Sequence, residues 1–301
     1  SPFGGKKEPG MPRISLRTLH RLSWVSLVFI GGIVVTGAAV RLSGSGLGCS
    51  DWPRCNSSHF VDVSTHHGRI EQVNRLFTGV VAVAVVLAML GAQRLDHPVR
   101  RLRVLGAALV LGVVGQIVLG GIVVLTGLNP LANLGHFSLS MFLVASNVAL
   151  IVESGDRVQH RLSYARRRMI DWFFFLTCVL LLAGMVVTGA GPHAGDEKAV
   201  RFDVAISSVA RAHSIVAWLT VGMLLLIIQR ARKSEEWDTW MESRTQTIMV
   251  LLIAQGGVGY WQYFTDVPAG LVAVHVALAT LLFISVTKFW LECRSAVVSG
   301  T

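Results

Sequence analysis

Eight apolar runs, at roughly 22–40, 76–93, 104–125, 134–152, 170–190, 205–229, 246–264 and 269–290, decide what this 301-residue chain can fold into. Several reach the roughly 20 residues that a helix needs to cross a ~30 Å hydrocarbon core. In lipid, each backbone N–H and C=O must be satisfied internally, and for runs of this length the helix does so. Composition agrees, since 52% of the residues are hydrophobic and 15% are charged, against about 25% charged in a soluble domain. The expected fold class is all-α integral membrane, with eight transmembrane helices. The second and sixth helices should begin a turn or so early, in the polar stretches before Leu76 and Ala210.

A net charge of +10 would suit a nucleic-acid partner if the basic residues formed one tract. They recur instead in short clusters between apolar runs, so no nucleic acid is expected. Lys6, Lys7, Arg13, Arg17 and Arg21 open the series, followed by Arg94, Arg100, Arg101 and Arg103. Arg157, Arg161, Arg166, Arg167 and Arg168 come next, then Arg230, Arg232, Lys233 and Arg244, and finally Lys288 and Arg294. These are most of the 27 Lys and Arg; Arg41, Arg54, Arg69, Arg75, Lys198, Arg201 and Arg211 fall on the other side. The positive-inside rule then predicts a multi-pass protein of the cell (plasma) membrane with both termini cytoplasmic. The longest outer loops fall at about 41–71 and 191–204. Residues 1–10 (SPFGGKKEPG) read as a disordered leader or a cloning remnant, because no small-residue cleavage site follows the first apolar run.

The two halves of the chain resemble each other. VVTGA occurs at 34–38 and again at 186–190, ending the first and fifth helices. Further on, one constant spacing matches Gln116 to Gln255, Gly120 to Gly259, His136 to His275 and Asn74 to His213. Four spans per half give both units the same orientation, so they should form two four-helix bundles related by a pseudo-twofold axis along the membrane normal. The organisation expected is a cytoplasmic segment 1–20, an N-terminal half 21–153, a linker 154–169, a C-terminal half 170–291 and a cytoplasmic tail 292–301.

Three histidines stand at the outer ends of apolar helices, where an ionisable side chain is costly and usually has a partner. His213 and His275 share the second half, on alternate helices and at matching depth. Two imidazoles placed in this way can be both axial ligands of one haem in a four-helix bundle. No third ligand at metal-binding spacing favours zinc. In the first half His136 matches His275, but Asn74 stands where His213 would. Either this site is a structural remnant, or its iron is left weakly ligated, as a reactive site requires. His66 and His67 could add a ligand, or could simply be solvated loop residues.

Other positions keep two readings each. Glu71, three residues before Asn74 on one helix face, could serve proton transfer or could pair with the helix dipole and Arg75. Arg75 and Arg211 suit haem propionates or interfacial snorkelling. Gln116 and Gln255 read mainly as interhelical hydrogen-bonding residues. Cys49 and Cys55 lie in an oxidising location and could close a disulfide, either as a staple or as a redox-active pair. Cys178 reads as packing, and Cys293 as a reduced cytoplasmic thiol.

The stretch SGSGLGCSDWPRC at 43–55, then E-x-x-N-R at 71–75, Gly135-His136 and the repeated four-helix layout resemble haem A synthase. The likeness covers roughly residues 14–293. It implies conversion of haem O to haem A, by oxidation of a porphyrin methyl group to formyl, in support of cytochrome oxidase assembly. It also implies a haem B cofactor held through its iron by His213 and His275, with Arg211 nearby. The substrate haem O would lie in the first half near Asn74 and Arg75, with His136 as ligand and Glu71 close to the reaction. The family pattern has a second His where this chain has Asn74. Both haem sites should lie toward the outer face. The resemblance leaves room for association with the haem O-producing farnesyltransferase, for an electron-transfer partner and for a homo-oligomer.

Two other functions fit an eight-helix repeat. A transporter would place broken helices and polar groups at the midplane, whereas here the polar positions gather at the outer ends. A di-haem cytochrome b-type electron carrier would pair histidines at each haem and spread the haems toward both faces. Asn74 and the single-faced histidines argue for the enzyme instead.

Overall fold

Each apolar run forms one helix, and nearly every helix extends beyond its run into polar flanks. The computed structural model describes residues 13–156, 161–295 and 297–298, and the leader expected at 1–10 lies outside them. In order come α1 (Leu16–Leu42), α2 (His66–Gln93), α3 (Arg100–Leu125), α4 (Pro130–Ser154), α5 (Tyr164–Ala190), α6 (Ile206–Ala231), α7 (Thr239–Phe264) and α8 (Ala269–Ser295). Two-residue strands β1 (Arg161–Leu162) and β2 (Val297–Val298) pair in parallel, a small addition to the all-α expectation. Among the described residues, seven helices are long and apolar enough to cross a membrane. The exception is α7, as long as α6 but diluted by Glu242, Arg244, Gln246, Gln255 and Gln262. The chain is a multi-pass membrane protein.

Caps explain the longer helices. The side chains of Ser15, Thr65, Ser163 and Asp238 accept backbone N–H groups at the starts of α1, α2, α5 and α7, satisfying donors that the helix leaves orphaned. Asn129 caps α4 just before Pro130, whose missing N–H costs nothing there. The start of α2 at His66 is well ahead of the turn or so expected before Leu76. Its polar first turns are held in place because Gly68, Glu71 and Gln72 are buried.

α1 packs on α2 and α4, and α3 packs on the same two, closing the first four-helix unit. α5–α6, α5–α8 and α7–α8 build the second, where α6 and α7 touch only thinly. Between the units α8 meets α1 and α4, and α4 meets α5. Exchanging the halves turns α1–α8 into α5–α4 and leaves α4–α8 unchanged, which is the pattern of a pseudo-twofold. Each unit has a core, one around Leu27, Ile30, Val85, Leu109 and Val144, the other around Phe173, Leu224, Ile227, Ile248 and Val286. Large apolar side chains such as Val28, Leu111, Trp218 and Ile253 face outward, as lipid-facing helices require.

The repeat is also visible in the backbone. The α3–α4 turn places Gly127 and Leu128 at φ of 62° each, and the α7–α8 turn places Asp266 at 59° and Val267 at 57°. A left-handed conformation is costly for a branched residue, so Val267 is pinned at both ends. Its N–H donates to the Gln262 carbonyl at 2.8 Å, and His193 Nε2 lies 2.7 Å from its own carbonyl. These matched turns set where α4 and α8, the helices of His136 and His275, begin.

Candidate functional site

The three helix histidines are set in the same way. A Cβ added at Gly184 would lie 3.1 Å from His213 Cε1, one at Gly259 3.1 Å from His275 Cε1, and one at Gly120 3.4 Å from His136 Cε1. Each imidazole therefore lies edge-on against a glycine of the preceding helix, a close approach that any side chain there would disturb. The Nδ1 atom of each ring is buried and makes no hydrogen bond of ordinary geometry among the described residues. The backbone of Leu180 lies beside the His213 ring, and that of Gln255 beside the His275 ring. This arrangement turns the Nδ1–Cε1 edge to the helix and leaves Nε2 as the nitrogen open to a metal.

His213 and His275 come together. Their ring centroids are 6.4 Å apart with the planes 67° from parallel. A metal–imidazole bond of about 2 Å on each side, with about 1 Å from each nitrogen to its ring centroid, gives about 6 Å. The pair therefore fits one iron bound between two imidazoles, the arrangement by which proteins hold a haem axially.

The first half repeats the frame with a different filling. Asn74 Oδ1 accepts a hydrogen bond from Thr36 Oγ1 at 2.8 Å. The glycine matching Gly184 is Gly32, and its missing side chain faces Phe77 Cζ at 3.6 Å. Where the second half has His213, this half has Asn74, not an imidazole. Gln116 Nε2 donates to the His136 carbonyl at 3.0 Å and to Ser140 Oγ at 2.8 Å, locking α3 to α4 beside the histidine. At the position matching Ser140 the second half has Ala279, and the Oε1 atoms of both Gln116 and Gln255 are buried with no hydrogen-bond partner among the described residues.

Glu71, Arg75 and the cysteines form one unit. Cys49 and Cys55 are disulfide-bonded and almost wholly buried. Glu71 is buried, and its Oε2 accepts the Cys49 N–H at 2.8 Å while Oε1 accepts Arg75 Nε at 2.9 Å. The Arg75 η nitrogens donate to the carbonyls of Asp51 and Arg54, and the guanidinium lies 4.9 Å over the Trp52 ring. The carboxylate and guanidinium thus clamp the disulfide loop to the first turns of α2. His66 and His67 are exposed, and His67 Nδ1 lies 2.9 Å from Ser45 Oγ. Arg211 is exposed two residues before His213. Cys178 is half-buried in α5, and Cys293 is buried in α8.

The sequence reading did not single out Thr36, Ser140, Gly32 or Gly184. The spacing that pairs the two VVTGA motifs also pairs Gly32 with Gly184 and Thr36 with Thr188, so the signal was present. What those residues touch depended on helix rotation, which periodicity leaves undetermined.

Comparison with known proteins places the chain in a family. A family described as cytochrome oxidase assembly protein matches residues 20–287. The chain is 24% identical over 291 residues to a heme A synthase of Bacillus licheniformis, an alignment covering 89% of this chain and 93% of that protein. It is 32% identical over 143 residues to a heme A synthase of Lysinibacillus sphaericus, covering 45% of this chain and 46% of that one. With a heme A synthase of Bacillus pumilus it shares 30% identity over 148 residues, 48% of each chain. The family match spans nearly the whole length, and the chain belongs to the cytochrome oxidase assembly protein family, whose relatives here are named heme A synthase.

Proposed function

We propose that this protein is a haem A synthase, oxidising a methyl group of haem O to a formyl group to give haem A, with haem B as its cofactor. The observation that carries the reading is the asymmetry of the repeat: two imidazoles 6.4 Å apart in one half, and in the other one imidazole, His136, with Asn74 at the position that matches His213. The half 170–291 would hold haem B through His213 and His275, with exposed Arg211 able to reach a propionate. Bound there, haem B supplies one-electron redox chemistry.

The half 21–153 would hold haem O. His136, set by Gly120 and Gln116, ligates the substrate iron. Asn74, held by Thr36, would be at most a weak ligand to that iron, which suits a reactive site better than an electron carrier. Glu71 acts through the loop it clamps: with both oxygens occupied, it holds the covering segment over the site. Arg75 does the same from its guanidinium.

In this reading the segments 1–20 and 292–301 and the linker 154–169 are cytoplasmic, the disulfide loop and both haem sites face outward, and the bilayer is the plasma membrane. The farnesyltransferase that makes haem O, an electron acceptor and further copies of the chain are its expected partners. A membrane-impermeant thiol reagent added to intact cells should label Glu197→Cys but not Glu235→Cys; the reverse pattern would invert the topology.

The activity is tested by producing the protein with a haem O supply, purifying it in detergent and identifying the extracted porphyrins by mass. Haem B together with haem O, its hydroxylated form or haem A is expected. Recovery of haem B alone, whatever the supply, would replace the synthase with a cytochrome b-type carrier.

A further inference from the structure

The spacing that pairs His136 with His275 also pairs Gly121 with Tyr260 and Arg75 with Ser214. Gly121 and Tyr260 each follow the glycine that faces a site histidine, one residue nearer the helix end that bears the long loops. In the second half Tyr260 bridges α7 to α6, its hydroxyl 2.7 Å from Ser214 Oγ and accepting Trp218 Nε1 at 2.9 Å. In the first half the helix supplies no side chain at this place, and Trp52 fills it. A Cβ on Gly121 would lie 2.5 Å from Trp52 Cδ1 and 2.6 Å from Nε1, so the indole occupies the space of the missing residue. Its other side meets the Arg75 guanidinium, 4.9 Å from the ring, on the helix position that corresponds to Ser214.

We propose that Trp52 is a removable roof over the His136 site, and that Tyr260 is its permanent counterpart over the His213–His275 site. The inference rests on the assignment of substrate and cofactor haem to the two halves, and it supplies a reason for their different fates. An aromatic group bridges the second and third helices of both units at the same depth. Tyr260 is borne on a helix and tied to Ser214 and Trp218, so it stays with its helix, which suits a resident cofactor. Trp52 is borne on a loop anchored to α2 by Glu71 and Arg75, so undocking it from Gly121 opens the site without disturbing a helix. A substrate haem that must arrive as haem O and leave as haem A needs such an opening. Trp52 is accordingly a contact residue of the substrate pocket.

The test is haem transfer from the purified, doubly loaded protein to excess apomyoglobin, with the extracted porphyrins identified at successive times. Gly121→Ala, which pushes the indole out, and Trp52→Ala, which removes it, should each speed loss of the haem held by His136 by at least about tenfold. Loss of haem B should stay at the wild-type rate in both, and its unchanged bis-imidazole spectrum reports that the fold is intact. Tyr260→Ala should have the opposite selectivity. Wild-type transfer rates in both first-half variants, or equal acceleration of both haems, would overturn the proposal. If the wild-type protein holds no haem that His136→Ala removes, the assignment of the halves fails and the roof fails with it.

Discussion

A histidine inside a membrane protein is costly unless its ring is held and used, and here each ring is held by the absence of a side chain on its neighbour. The consequence can be checked with one pair of substitutions. At Gly184 a methyl group would come 3.1 Å from His213 Cε1, whereas at the matched Gly32 the nearest atom, Phe77 Cζ, lies at 3.6 Å. Gly184→Ala should therefore tilt His213, shift the g-values of the bis-imidazole haem and cost about 1 kcal/mol in packing strain. Gly32→Ala should leave that spectrum unchanged and gain up to about 1 kcal/mol of helix propensity. Equal effects would show that the glycine contact does not position the ring. Asn74→His should convert the substrate haem from a high-spin to a low-spin bis-imidazole spectrum, and no change would place Asn74 away from the iron. The histidines and Asn74 were legible in the sequence because a repeat aligns them. Glu71 was legible only as two alternatives. Its partner Cys49, like the Arg54 carbonyl that Arg75 reaches, lies in a loop whose path no periodicity describes.

Among the elements, apolar run length located every helix, and the errors fell at polar ends. α2 and α7 both start earlier than their apolar runs because caps at Thr65 and Asp238 and buried contacts stabilise turns that hydropathy does not register. The links between elements at the basic end depend on ion pairs. Arg166 of α5 meets Glu236 in the α6–α7 connection at 2.7 Å, and Glu236 also accepts the Ser163 N–H at 2.7 Å. Burial alone would raise the Glu236 carboxyl, but the hydrogen bonds from Arg166 and Ser163 outweigh it and hold the group below its ordinary range. A depressed folded value means that the carboxylate stabilises the fold above the unfolded pKa, about 4.3, and that this contribution is lost as pH falls through the folded one. Thermal stability in detergent should therefore fall on acidification below about pH 4.3, and Glu236→Gln should flatten part of that slope. An identical slope in the variant would remove Glu236 from the account.

For the whole molecule, duplication followed by divergence gives two halves with one frame, which the proposed function fills with two different haems. The helix pairing, the matched left-handed turns and the glycine-backed histidines are shared by both halves. The differences cluster at one end: a disulfide loop on the first half, Asn74 in place of a histidine, and Gly121 where the second half has Tyr260. This scale was the most legible in the sequence, since two VVTGA motifs and one repeated spacing already imply parallel four-helix units. The seam between the units was not, because Phe283 of α8 joins the core of the first half and nothing in a one-dimensional pattern assigns it there. The division of labour between the halves is the central claim, and one comparison tests it most directly: His136→Ala and His275→Ala proteins, each made with a haem O supply, purified, and analysed for bound porphyrins by mass. The account predicts that His136→Ala keeps haem B and loses haem O and haem A, while His275→Ala loses haem B and keeps haem O. Loss of the same porphyrin from both variants, or the reverse assignment, would contradict it.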